Sequence, residues 1–196
     1  MAELLYQGHG SLRMKTGSGK VIYIDPYAGE GYDVPADLIL VTHQHYDHNC
    51  IEKPVKNEGC VIYQNTDALR NGVYGTLKLD GITVEAVQAY NHHHKKEECV
   101  GYIVSTDGVS IYFAGDTGET EDMHKMKERH LDYAVLPMDS TYTMDIPETM
   151  HCTEIIGAKH TIPVHMKPGG LYDEERAKLF TVPGALLVKP GETISL

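Results

Sequence analysis

An apolar run, Asp37-Leu38-Ile39-Leu40-Val41, passes directly into Thr42-His43-Gln44-His45-Tyr46-Asp47-His48-Asn49. The run reads as a buried strand, and the next residues place three imidazoles and a carboxylate within one short loop. H-x-H-x-D-H is too tight for one helix face, where paired ligands fall at i and i+4. On a loop leaving a strand end, it can send two side chains one way and two the other. Neutral imidazole with carboxylate is the donor set of zinc and its borderline neighbours. Solvated loop histidines would also fit this segment alone, but the rest of the chain supplies the ligands such a loop lacks.

Asp116 follows an apolar stretch in Phe113-Ala114-Gly115-Asp116-Thr117-Gly118, where the glycine permits close backbone approach. Its carboxylate has two oxygens, enough to bridge two cations. His165 ends Ile162-Pro163-Val164-His165, and His92, His93 and His94 leave another strand-like segment. Ligand candidates at several strand ends are the pattern of a functional site on one rim of a layered fold.

Strands are expected over residues 3–7, 10–15, 20–25, 37–42, 59–64, 75–79, 82–90, 99–105, 109–114, 133–136, 160–164 and 185–189. Helices are expected over 65–71, capped by Asn65 or Thr66, over 119–129, after Pro147, and over 173–180. Two runs of strands, each followed by helices, predict two packed sheets with helices outside. No linker-like or low-complexity segment divides the 196 residues, so 1–196 reads as one domain.

The formal charge is -11 with neutral histidines, and no Lys/Arg-rich run occurs. That argues against a nucleic-acid partner, since phosphate neutralisation supplies most of such affinity. Cys50, Cys60, Cys99 and Cys152 form no CxxC pair and no disulfide framework. Cys50 stands close enough to the motif to act as a ligand or neighbour, although an idle thiol is the simpler reading. The N-terminus has no secretory-signal pattern and no apolar run reaches membrane-spanning length, so the cytoplasm is the expected compartment. A homo-oligomer is compatible with the sequence.

The T-H-x-H-x-D-H motif, then G-D-T, then I-P-x-H, in that order, resembles the metallo-beta-lactamase superfamily. The small single-domain metal-dependent hydrolases, similar to ascorbate-phosphate lactonases, resemble it most. The resemblance implies an α/β fold, a four-layer αββα sandwich with a dinuclear site at one edge. It implies a first metal on His43, His45 and a histidine of the 92–94 run, a second on Asp47, His48 and His165, and Asp116 bridging both. In relatives the third histidine lies eight residues before the Tyr of a Gly-Tyr pair; Gly101-Tyr102 points here to His94. Asp25 matches an aspartate that orients ligand histidines, and His9 matches a recurrent pocket histidine. Where relatives carry small glycines, this chain has Met138-Asp139-Ser140-Thr141-Tyr142-Thr143-Met144, which puts Asp139 and Ser140 beside the expected substrate space. His92, His93, His124, His130, His151 and His160 are left without a role, and most should be surface residues.

Two metals roughly 3.5–4 Å apart share a water and lower its pKa. The expected chemistry is hydrolysis of a small, anionic or neutral ester, lactone or phosphoester, with Asp47 or Asp116 orienting the nucleophile. Zinc is the expected metal, and manganese or iron also fits mixed His/carboxylate sites. A phosphodiesterase or nuclease of the same superfamily, and a metal-binding or ligand-sensing protein without turnover, are the competing readings.

Overall fold

The computed structural model describes residues 1–196. The chain begins with five strands, β1 (Glu3–Gly8), β2 (Ser11–Lys15), β3 (Val21–Ile24), β4 (Ala36–Val41) and β5 (Lys56–Gln64). A single helical turn, α1 (Asn65–Ala68), leads to a small hairpin of β6 (Leu69–Arg70) and β7 (Val73–Tyr74). Then follow β8 (Thr76–Leu79), β9 (Ile82–Gln88), β10 (Val100–Thr106) and β11 (Val109–Phe113). The last part alternates: α2 (Met123–Met126), β12 (Tyr133–Pro137), α3 (Ile146–Ile156), β13 (His160–Val164), α4 (Glu174–Lys178) and β14 (Thr193–Ser195).

Two six-stranded mixed sheets result, ordered β14-β1-β2-β3-β4-β5 and β13-β12-β11-β10-β9-β8. Alternation along the strands sends Leu4, Tyr6, Leu12, Ile22, Leu38 and Leu40 from one sheet against Val84, Val100, Tyr102, Phe113, Val135 and Ile162 from the other, in a shared core of 22 buried residues. The opposite face of the second sheet, with Ile103, Tyr112 and Leu136, is covered by Met123, Met126, Cys152 and Ile156 of α2 and α3. The opposite face of the first sheet, with Tyr23, Ile39 and Val41, is covered by Tyr32, Val34 and Ile51 of irregular chain. The sandwich is therefore clad by helices on one side and by loops on the other.

Several expected elements differ at their ends. The helix expected over 65–71 stops at Ala68, with Gln64 as its cap, because Leu69 turns extended and pairs with Tyr74. The helix over 119–129 reduces to α2 and a 3-10 turn, Lys127–Arg129, ended by left-handed His130. α3 begins at Ile146, one residue before Pro147, with the Asp145 carboxylate accepting from the Glu148 amide. The strand expected over 185–189 is absent: Ala185 makes one isolated bridge to Thr161, and the last strand is β14 instead.

Strand direction positions the site. His9, Asp25, Thr42 to His48, Asn91 to His94, Asp116, Asp139 and His165 all follow the carboxyl ends of β1, β3, β4, β9, β11, β12 and β13. At that rim the sheets are stitched together. The Val100 amide donates to the Thr42 carbonyl at 3.0 Å and the His165 amide to the His9 carbonyl at 2.9 Å. Across the core, the Tyr102 hydroxyl donates to the Val41 carbonyl at 3.0 Å, fixing the point where the histidine motif leaves β4.

Candidate metal centre

Asp116 is the centre of the constellation. It is buried, and four imidazoles turn Nε2 toward its carboxylate: His43 at 4.0 Å, and His48, His94 and His165 each at 3.4 Å. Gly115 makes the approach possible. It has φ +64°, and a Cβ there would lie 2.8 Å from the Thr42 side chain. Gly10 serves similarly, since a Cβ would meet the His48 ring at 2.9 Å.

The outward nitrogen of each ring faces an oxygen. His48 Nδ1 is 2.8 Å from Asp25 Oδ2, and His43 Nδ1 is 3.0 Å from Thr42 Oγ1. His94 Nδ1 is 3.0 Å from Asn91 Oδ1, and His165 Nδ1 is 3.4 Å from Asp139 Oδ2. An Nδ1–H held outward leaves the Nε2 lone pair facing inward, as ligation demands. Asp25 also accepts from the Thr42 amide and hydroxyl, both at 2.7 Å, so its oxygens are occupied by positioning contacts.

His43 Nε2, His48 Nε2, His94 Nε2, His165 Nε2 and Asp116 Oδ1 are buried without any hydrogen-bond partner. Orphaned polar atoms at that density are costly unless something else satisfies them. They fit divalent cations in both number and donor type. Three donor groups have their ligand atoms within 4.8 Å of one another: His43, His45 and His94; His9, Asp47, His48 and His165; and Asp25, His43 and His48. In the third, Asp25 meets the outward Nδ1 of His48, so the first two are the candidates for holding cations. Asp116 lies between them. His94 is buried whereas His92 and His93 are exposed, so the third imidazole of the first group is His94. His9 joins the second group directly; its Nε2 is 3.1 Å from Asp47 Oδ2 and its ring lies 3.8 Å from that of His165. Cys50 belongs to no donor group, and its thiol donates to the Tyr46 carbonyl. His124, His130 and His151 are exposed.

Burial pushes His94 down to about 4 and His43 well below the ordinary imidazole value. Burial also acts on His48 and His165, but Asp116 and their carboxylate partners outweigh it and raise both. For Asp116 burial would raise the pKa, yet His48 and His165 hold it well below the carboxylate range. Asp47 feels burial as its largest single influence, which would raise it, but the His9 hydrogen bond and the neighbouring His48 charge together lower it to about 2.

The cleft over this centre, about 380 Å³, is walled by Tyr46, Asp47, His93 and Tyr142. A second cavity of about 490 Å³, with Asn91, Glu119 and Glu148 in its lining, adjoins it and shares His93 and Tyr142. Those two rings meet edge to face, 5.5 Å apart.

The family model described as the beta-lactamase superfamily domain matches residues 3–165. The chain belongs to the metal-dependent hydrolases of the metallo-beta-lactamase superfamily. A UPF0173 metal-dependent hydrolase of Geobacillus thermodenitrificans is 30% identical, covering 99% of this chain and 100% of that protein. One from Methanospirillum hungatei is 33% identical, covering 83% of this chain and 82% of that protein. A putative metal-dependent hydrolase of Parabacteroides distasonis, solved as a crystal structure, superposes with a TM-score of 0.79 at 26% identity, over 95% of this chain and 92% of that one.

The α/β sandwich inferred from sequence is that superfamily's fold. Sequence reasoning missed Asn91 and Thr42. Asn91 carried a faint signal, as an amide three residues before His94, where an Asx-type turn brings side chain and ring together. No helix is long and apolar enough to cross a membrane.

Proposed function

We propose that this chain is a dinuclear metal-dependent hydrolase acting on a small ester, lactone or phosphoester. His43, His45 and His94 would hold one divalent cation, Asp47, His48 and His165 a second, and Asp116 would contact both. The observation that carries this reading is the set of four buried, partnerless Nε2 atoms turned toward one buried carboxylate. Zinc suits the imidazole-rich first group, and manganese or iron suits the mixed second group as well.

When bound, such a pair acidifies a shared water toward neutral pH and polarises the carbonyl or phosphoryl oxygen under attack. The chain's own residues supply the rest. Asp116, ionised in its buried setting, orients the attacking water. Asp47, gripped by His9, is positioned on the open side of the cleft to accept a proton and pass it to the leaving oxygen. Tyr46 and Tyr142 narrow the entrance. The cleft lining contains no Lys or Arg, and the chain carries -11, so a polyanion gains little beyond the group at the centre. These features favour a small substrate over a nucleic acid.

The test is a substrate panel run on chelator-stripped protein reloaded with zinc, manganese or ferrous iron. Small carboxylic esters, lactones, phosphodiesters and single-stranded nucleic acid form its arms. Turnover of a small ester, lactone or phosphodiester that vanishes on stripping and returns on reloading is expected. Cleavage of nucleic acid with every small substrate inert would assign the chain to the nucleases instead. Full metal loading with every substrate inert would leave a metal-binding or sensing role.

A further inference from the structure

Tyr142 lines the cleft, Thr141–Met144 line the cavity beside it, and the backbone of this segment is tied to the candidate metal centre from both sides through two side chains. Asn91 spans one side. Its Oδ1 faces His94 Nδ1 at 3.0 Å, and its Nδ2 donates to the Tyr142 carbonyl at 2.8 Å. Asp139 spans the other. Its Oδ1 accepts from the amides of Thr141, Tyr142 and Thr143, at 2.8, 2.8 and 2.9 Å. Its Oδ2 is buried, has no hydrogen-bond partner, and stands 3.4 Å from His165 Nδ1. Thus the Tyr142 amide hangs from the residue behind His165, and the Tyr142 carbonyl hangs from the residue behind His94.

We propose that Asn91 and Asp139 are positioning residues that couple metal occupancy to the shape of the substrate wall at Tyr142. Each presents an oxygen to the outward nitrogen of a ligand-candidate histidine and uses its remaining polar capacity to hold the same peptide. When a cation fixes the Nε2 lone pair, the Nδ1–H must point outward, and that proton orders Asn91 or Asp139. The ordered side chain in turn orders Tyr142. Linkage requires the reverse as well: a wall fixed by substrate strengthens metal binding by the same factor. Tyr142 separates the two cavities, so the coupling sets how far a substrate extends from the centre toward Glu119 and Glu148. The inference rests on the proposed metal-dependent function.

Two conservative variants cut opposite ends. Asp139→Asn keeps an oxygen for the loop amides but can turn an NH2 toward His165, which disfavours the ligating tautomer. Asn91→Asp keeps the acceptor for His94 but removes the donor to Tyr142. The readouts are zinc affinity, by competition with a chromophoric chelator, and amide hydrogen exchange of residues 141–143 with and without zinc.

Wild-type protein is expected to protect those amides several-fold more when zinc is bound. Asp139→Asn should lose about 10- to 100-fold in affinity for one zinc equivalent. Asn91→Asp should retain both equivalents while its exchange rates at 141–143 become indifferent to zinc. Exchange at 141–143 that ignores zinc in wild-type protein that binds two equivalents overturns the coupling and leaves the hydrolase reading intact. Wild-type protein that binds no zinc, manganese or ferrous iron overturns both. Should Asp139→Asn fail to fold, Asn91→Asp decides alone: zinc-dependent protection equal to wild type contradicts the proposal.

Discussion

The two halves of the centre are built from the same imidazole chemistry but are supported differently. Around His43, His45 and His94 the outward partners are neutral, Thr42 and Asn91, and His45 is exposed. Around His48 and His165 they are the carboxylates of Asp25 and Asp139. The carboxylate-backed half is deeply buried and holds its backbone in the left-handed region at His9 (φ 53°), Asp25 (φ 46°) and His165 (φ 45°). Such conformations cost about 1–3 kcal/mol each and persist only where the surroundings over-determine them. Charged backing raises imidazole basicity more than neutral backing does, so in the proposed dinuclear reading the two halves would differ in affinity. The His48/His165 half should therefore bind its cation more tightly at alkaline pH.

The largest effect belongs to Asp116→Ala, which removes the group common to both halves. Metal affinity should fall by more than about 100-fold at both halves, and turnover should disappear. His94→Ala should separate them, leaving about one equivalent on the buried half, as read by elemental analysis. A variant that loses both equivalents would show that the halves cannot load independently.

Acidification should act on the two halves unequally. His48 and His165 are raised above free imidazole, so below those raised values each holds a proton that a cation must displace. His94, at about 4, is already neutral at pH 6, and burial holds His43 well below the ordinary imidazole value. Lowering the pH from 8 to 6 should weaken binding at the buried half first, with proton release visible when zinc is titrated in near neutral pH. Equal weakening of both halves would erase the electrostatic distinction. The smallest effect is expected from His93→Ala: unchanged metal content, with a KM shift of about 3- to 10-fold as one cleft contact is lost.

Legibility in the sequence followed the same division. The candidate ligands stood out because each follows a strand and carries chemistry that a plain turn does not need, and the structure brings them together in two donor groups around Asp116. His94 was singled out from the 92–94 run only by the resemblance, whose spacing to Gly101-Tyr102 points to it, and it is the one of the three that joins a donor group. The supporting groups were harder. Asp25 stood out only through the resemblance, since its local sequence alone suits a strand-end aspartate before proline, and Asn91 resembled any loop asparagine; their roles depend on contacts across the sheets. The C-terminal misassignment has a similar cause. Ala185-Leu186-Leu187-Val188 is apolar enough for a strand, but after the Thr161 contact the chain leaves β13. It then turns at Gly191 to pair Thr193-Ile194-Ser195 with β1. Three residues are too few to show an alternation. The loop cladding of the first sheet was equally silent, because Tyr32, Val34 and Ile51 follow no period.

Metal stoichiometry tests the central claim most directly. Protein purified without chelator, then saturated with zinc or manganese and desalted, should carry two equivalents per chain by elemental analysis. A single equivalent that neither metal increases would contradict the two-half centre on which this account stands.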